Sequence, residues 1–221
     1  MKFRFFRGLK EPSVFLESWK MTETYVHIRR HIVALFILSA IIFGAAGWIG
    51  MGTEGWSGQY ITLFGLTHDL NRFYFLLGRV LLGFLYVAIL LWVPAFIYWL
   101  LAQDYTFRKI VPLFIFPVAI LILEQLSYVL LMLWQGIPWY SSPFSWGVIG
   151  QLFIEHSWPI YFLGAISIFK LWVMYWQFIT LRFITRLKGW AVIAIVLTLN
   201  LAFWAITATF ATLNFHQLLF S

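Results

Sequence analysis

The chain has 221 residues, of which 62% are hydrophobic and only 10% are charged, and its formal net charge is +7. Soluble globular domains carry about 25% charged residues, so this composition excludes a soluble domain and predicts an integral membrane protein. The sequence contains no cysteine, which excludes disulfides, thiol nucleophiles and cysteine-ligated metals.

The first thirty residues form the only long polar segment, with seven Lys and Arg against three Glu. After Pro12, apolar residues recur at helical spacing at Phe15, Trp19 and Val26. We predict an amphipathic helix on the cytoplasmic membrane surface, with its basic residues facing anionic lipid headgroups. The alternative is a solvated helix that only leads into the first membrane span.

Five apolar runs follow, and each is close to or above the roughly 20 residues that a helix needs to cross a bilayer. We predict an all-α fold, a bundle of five transmembrane helices preceded by the amphipathic helix. The chain then divides into a basic N-terminal segment, residues 1–30, and a membrane domain, residues 31–221. The predicted spans are residues 31–50, 73–101, 110–134, 158–181 and 190–213.

The basic residues fall on alternate loops and predict the orientation. Twelve of the fifteen Lys and Arg lie in the N-terminal segment and the turns 103–109 and 182–188, whereas the opposite loops hold only Arg72. The positive-inside rule predicts a multi-pass cell-membrane protein with its N-terminus cytoplasmic and its C-terminus extracytoplasmic. This loop pattern explains the net charge without nucleic-acid binding. The predicted cytoplasmic basic surface comprises Arg29, Arg30, Arg108, Lys109, Arg182, Arg186 (beside Thr185) and Lys188.

Three charged residues lie inside predicted spans, where charge is costly. At 1.5 Å per helical residue, Arg79, Glu124 and Lys170 lie about 9, 15 and 18 Å from the outer ends of their spans. They can meet in one bundle interior, either as a polar site that binds or passes an ion or peptide group, or as a structural pairing. In the structural pairing, Glu124 bridges Arg79 or Lys170 and sets the helix register. The residues that extend this predicted polar seam are Gln125, Gln177 and Asn200.

The loop between the third and fourth spans, Gln135–Ser157, is rich in aromatic residues and contains one acid, Glu155, with no Lys or Arg. We call it the aromatic loop and predict that it lies in the outer membrane interface. Its predicted interaction residues are Trp139, Tyr140, Phe144 and Trp146.

Motifs of the common enzyme classes are missing, including the phosphate loop and the nucleophile elbow. His27 and His31 have the spacing of a metal pair, but Arg29 and Arg30 between them disfavour a cation, so we predict no metal and no cofactor. Ser167 has no positioned base nearby and is interpreted as a packing residue. Single histidines interpreted as interface residues are His68, His156 and His216.

The central hairpin resembles the Yip1-domain family of membrane proteins, and its bacterial members in particular. Leu77-Gly78-Arg79 opens one span, a polar turn ends in Thr106-Phe107-Arg108-Lys109, and Val111-Pro112 to Phe116-Pro117 opens the next. The turn lacks the glycine that is often found there. The cytoplasmic lead-in and the five predicted spans are similar to that family as well.

The resemblance implies a non-enzymatic protein, because the family has no established catalytic residue. Its eukaryotic members act in vesicle traffic with small GTPases, and some bacterial members look like accessory proteins of membrane complexes, including ABC transporters that handle toxic peptides. The first functional hypothesis is therefore a membrane scaffold or accessory subunit, whose partners are the lipid bilayer and another membrane protein, such as ABC transporter subunits, or a second copy of itself. The second is a small transporter or channel-like protein that uses the Arg79–Glu124–Lys170 seam. A third, minor hypothesis is an immunity protein that binds a peptide toxin at the outer face.

Overall fold

The computed structural model describes residue 8 and residues 11–21, 28–53, 65–102 and 104–213. Every regular element in these ranges is helical, and two 3-10 turns, Val111–Phe114 and Trp139–Ser141, accompany the α-helices. The helices are α1 Pro12–Met21, α2 Ile28–Trp48, α3 Leu66–Leu101, α4 Phe107–Ile110, α5 Ile115–Gln135, α6 Gly147–Phe153, α7 Ser157–Gly164, α8 Ile168–Ile184 and α9 Gly189–Thr212.

Four helical segments are long and apolar enough to span a membrane: α2, α3, the continuous stretch Phe107–Gln135, and α9. They coincide with four of the five predicted spans and support a helical membrane protein. The remaining prediction, one helix over residues 158–181, differs from the structure. This region forms two helices, α7 and α8, which are separated at residues 165–167. A fifth crossing therefore requires α7 and α8 to act together.

The helix α5 lies at the centre of the bundle and packs against α2, α3 and α8. Its first eight residues, from Ile115 to Ile122, are all buried. A helix that is apolar on all sides buries well in a bundle interior. Pro112 lies in the 3-10 turn and Pro117 in the first turn of α5. Proline is tolerated in the first turn of a helix because a backbone N–H there has no intrahelical acceptor.

The helices α2 and α3 form the most extensive pair of the bundle. Ser39 donates its hydroxyl hydrogen to the Gly83 carbonyl over 2.9 Å. A Cβ atom on Gly83 would lie 2.9 Å from the Cα of Ala40, so glycine permits this close backbone approach.

The helix α1 packs onto the bundle through its apolar side. Phe15, Leu16 and Trp19 are buried. The Phe15 ring lies 4.7 Å from that of Phe116, and Trp19 Nε1 donates to the Lys109 carbonyl over 2.8 Å. The apolar residues expected to face lipid thus contact protein here, while Val26 lies outside the described residues.

The start of α2 also shifts the predicted boundary. This helix begins at Ile28, so Arg29 and Arg30 belong to its first turn, whereas the sequence places them in a separate segment before His31. Because the helix extends beyond the apolar run, its charged first turn projects past the apolar part of the span.

Candidate functional site

The break between α7 and α8 is stabilised by the aromatic loop. The Trp146 amide donates to the Ile166 carbonyl, and the Ile168 amide donates to the Phe144 carbonyl, each over 3.0 Å. These bonds satisfy backbone groups that a continuous helix would have paired internally. Non-helical backbone away from water needs protein partners for its polar groups, and the aromatic loop supplies them here.

Ser167 directly precedes α8 and has an extended backbone conformation. Its hydroxyl oxygen accepts a hydrogen bond from the Lys170 amide over 3.2 Å, which is the geometry of a helix N-cap. The same hydroxyl donates its hydrogen to Oε1 of Glu124 on α5. Ser167 therefore joins the helix break to the central helix of the bundle.

Glu124 is completely buried, with an exposed fraction of 0%. Its Oε1 accepts hydrogen bonds from the hydroxyls of Ser167 and Tyr128, the latter over 2.7 Å. The Lys170 ammonium lies 3.4 Å from the same oxygen. The other oxygen, Oε2, has no hydrogen-bond partner in the described structure. The carboxylate is therefore well held on one side and unsatisfied on the other.

Two sources of positive potential lie beside Glu124. Lys170, whose side chain is only 18% exposed, supplies an opposite charge. The N-terminal end of α8 is adjacent through Ser167, and the partial positive charge there stabilises an anion. Both effects act in the protein interior, and Coulomb interactions are stronger there than in bulk water.

The predicted seam is brought together only in part. Glu124 and Lys170 form an ion pair, as one of the predicted pairings has it. The Arg79 side chain lies against α2, with its guanidinium carbon 5.6 Å from the Phe43 ring centroid. Phe43 also contacts Tyr86, with their ring centroids 5.2 Å apart. Arg79 is thus linked to the Glu124 site through two aromatic rings, those of Phe43 and Tyr86.

The three predicted polar residues form two separate pairs. Gln125 Nε2 donates to the Tyr86 hydroxyl over 3.4 Å, beside the Glu124 site. Asn200 Nδ2 donates to Gln177 Oε1 over 2.6 Å and joins α9 to α8. Gln177 is about 10 Å from Lys170 along α8. The seam therefore divides into a charged cluster at the break and an amide pair farther along.

The predicted interaction residues of the aromatic loop also divide into two groups. Trp139 and Tyr140 pack on Tyr161 of α7, at ring distances of 5.7 and 5.0 Å. Phe144 and Trp146 are about half exposed, although their backbones hold the break. Trp139 and Tyr140 are partly exposed, so the second pair is the more accessible to a partner.

The predicted basic residues lie around the end of the bundle where α1, α4 and the α8–α9 turn meet. Lys109 contacts the Trp19 ring at 5.2 Å and donates to the Lys20 carbonyl, while Arg182 donates to the Leu187 carbonyl. Arg186 lies 3.8 Å from Asp104, and both side chains are well exposed. The other predicted members, Arg29, Arg30, Arg108 and Lys188, are exposed.

Neither Ser167 nor Tyr128 belongs to the predicted seam, although both hold Glu124. The interpretation of Ser167 as a packing residue is wrong, because its hydroxyl is the link between the break and the carboxylate. A sequence signal exists for each residue. Tyr128 is four residues after Glu124, on the same helical face, and Ser167 stands three residues before Lys170, where an N-cap would stand.

The described ranges contain no group of three or more His, Asp or Glu side chains that could hold a metal ion. His27 and His216 lie outside these ranges, so the His27–His31 spacing is not tested.

Comparison of the chain with family models, curated proteins and solved structures gives no match. The resemblance to the Yip1-domain family therefore stays a prediction, and the function has to be argued from the site.

Proposed function

We propose that this chain is a small transporter or channel-like membrane protein whose centre is the Glu124–Lys170 pair. The observation that supports this proposal is a fully buried carboxylate, with one unpartnered oxygen, at the break of a discontinuous helix. Discontinuous membrane helices commonly carry the substrate and ion sites of transporters, and ionisable residues within membranes mark transport pathways.

The dimensions of the helices agree with a site near the bilayer midplane. Glu124 lies about 14 Å from the Ile115 end of α5 and about 16 Å from its Gln135 end. α7 and α8 have 8 and 17 residues, and together they are long enough to cross a hydrocarbon core of about 30 Å. The proposed topology therefore has five crossings, the fourth of them broken, with the N-terminus cytoplasmic and the C-terminus extracytoplasmic as the loop charges predict.

The test is flux through the purified protein in liposomes. With an imposed pH gradient and an internal pH dye, we expect proton movement in the wild type and its loss in Glu124→Gln and Lys170→Gln. Glu155→Gln, which removes an exposed acid of the aromatic loop, is the matched control and keeps the flux. A folded wild-type protein that carries no proton or other ion contradicts the proposal.

A second candidate function is the membrane scaffold or accessory subunit, and it is favoured by the half-exposed side chains of Phe144 and Trp146. Their backbones are fixed on the break, so a partner would meet rigid aromatic anchors. The partner would be another membrane protein, such as ABC transporter subunits, or a second copy of the chain. A peptide toxin bound at the same residues would correspond to the minor immunity hypothesis.

Gentle extraction of the tagged protein and mass spectrometry distinguish these functions. A stoichiometric partner that is lost in Phe144→Ala with Trp146→Ala, and retained in Trp190→Ala, supports the accessory function. Trp190 is an exposed tryptophan at the start of α9 and serves as the control. A homogeneous protein without partners contradicts it and leaves transport as the proposal.

A further inference from the structure

We infer that Glu124 is a proton-binding site and that Oε2 is the atom that takes up the proton. The inference names the ligand of the proposed transport site, and its role in transport rests on that proposed function. Binding itself is argued from three observations: the arrangement of donors around the carboxylate, the space at the site, and the charges that face it.

The hydrogen-bond donors around Glu124 identify which of its two carboxylate oxygens takes up the proton. The hydroxyls of Tyr128 and Ser167 and the ammonium of Lys170 all converge on Oε1. An oxygen that accepts hydrogen bonds can act as the carbonyl oxygen of a neutral acid as well as an oxygen of a carboxylate. Oε2 is buried and has no partner in the described structure, so it is the position at which an O–H group can form.

The available space favours a proton over larger ligands. The Glu124 side chain has no exposed area, so a molecule cannot reach it unless helices separate. Two grooves formed by the described residues lie elsewhere. One of about 430 Å³ runs between α2 and α3 past Gly44, and another of about 320 Å³ lies between α1 and α8 beside Arg182.

The charges at the site favour a proton over a metal ion. Among the described residues, the titratable groups around Glu124 are Tyr128 on its own helix, Lys170 on α8 and Tyr86 on α3, on which Glu124 acts electrostatically. Arg79 is the next charge along α3, and the Phe43 ring that it contacts, on α2, also contacts Tyr86. A metal cation would be repelled by the adjacent ammonium and would find only one free oxygen. A proton needs only that oxygen.

The charge balance defines what changes on binding. A proton forms an O–H bond at Oε2, no covalent bond of the protein breaks, and the Glu124–Lys170 pair changes from neutral to a single positive charge. The carboxylate no longer attracts the ammonium, which keeps partial exposure and can be solvated there. Proton binding thus releases Lys170 in the first turn of α8, next to the break.

The test is infrared difference spectroscopy of the wild-type protein in lipid as the pH is changed. We expect a carboxylic-acid C=O band on acidification that shifts in D2O, disappears in Glu124→Gln and persists in Glu155→Gln. Tyr128→Phe and Ser167→Ala should each move this band to higher frequency, because each removes a donor from the carbonyl oxygen Oε1. These two variants keep the carboxyl group and decide the test if Glu124→Gln does not fold.

The absence of any acid band that depends on Glu124 overturns the inference. A band that neither Tyr128→Phe nor Ser167→Ala moves overturns the assignment of the proton to Oε2. A band without liposome flux leaves the proton site in place and contradicts transport. Flux without the band contradicts the proton site and leaves transport in place.

Discussion

The hydroxyl of Ser167 donates to Oε1 of Glu124, a residue 43 positions earlier in the chain. This bond joins the N-cap of α8 to the middle of α5, so one side chain serves both the helix break and the buried carboxylate.

Replacing Ser167 should destabilise the protein and disturb the break. Ser167→Ala removes an N-cap, worth about 1 kcal/mol, and a hydrogen bond to a charged group, worth about 1.5–3 kcal/mol. Thermal unfolding in detergent micelles measures the loss. Ser127→Ala is the control, because the Ser127 hydroxyl donates only to the Glu124 backbone carbonyl of its own helix. An equal effect of the two substitutions would contradict the proposed link.

Removing one member of the buried ion pair should cost more than removing both. Lys170→Met leaves a buried carboxylate without its counter-charge, and breaking such a pair costs about 3–5 kcal/mol. Lys170→Met combined with Glu124→Gln should recover part of that loss. The exposed pair of Arg186 and Asp104 is the comparison, and Arg186→Gln should leave thermal stability almost unchanged. Additive losses in the double variant would show that the two groups do not interact.

The approach of α2 to α3 should depend on one glycine. Gly83→Ala places a methyl group against the backbone of Ser39 and Ala40, so the helices must separate and the protein should lose thermal stability. Gly78→Ala, five residues earlier on the same helix, meets no atom within 4 Å and should be neutral or slightly stabilising, since alanine favours helix. Similar melting temperatures for both variants would contradict this packing.

Docking of α1 should depend on Trp19. Trp19→Phe leaves the Lys109 carbonyl without its side-chain donor and replaces a fully buried indole with a smaller phenyl ring. We expect faster trypsin cleavage after the exposed residue Lys20, measured by gel electrophoresis of the intact protein. Trp190→Phe changes an exposed tryptophan at the start of α9, and trypsin should cleave this control variant after Lys20 at the wild-type rate. Unchanged cleavage in Trp19→Phe would show that the bond does not hold α1.

The aromatic loop should loosen when the site is disturbed. Ser145 is buried between Phe144 and Trp146, and since the chain has no cysteine, Ser145→Cys can be labelled at a single position. Labelling by a thiol reagent should be slow in the otherwise wild-type chain and several-fold faster when combined with Ser167→Ala. Leu152→Cys on α6 is exposed and should label at the same rate in both backgrounds. If Ser167→Ala leaves the labelling rate of Ser145→Cys unchanged relative to that of Leu152→Cys, the loop and the site are not coupled.

The membrane helices are predictable because their signal is local. A run of apolar residues long enough to cross a bilayer has few alternatives to a helix, and α2, α3, α5 and α9 agree with the predicted spans. The pairing of Glu124 with Lys170 is predictable as one of two options, since a buried charge needs a partner.

The helix break and the position of α1 depend on distant residues. Residues 165–167 contain no proline or glycine, and their departure from a helix relies on backbone bonds to Phe144 and Trp146 in the preceding loop. The spacing of Phe15 and Trp19 is the same whether an apolar face meets lipid or protein. The contacts of Phe15 with the rings of Phe116 and Trp176 show that it meets the bundle.

The docking of α1 has a consequence for the order of assembly during synthesis. Phe15 contacts Trp176 of α8, and Trp19 contacts Phe183 of the same helix, although most of the chain lies between these partners. The ribosome therefore releases α1 long before the part of its binding surface on α8 exists. Contacts of α1 with α8 can form only after α8 has been made, so α1 is synthesised well before it can complete its packing on the bundle.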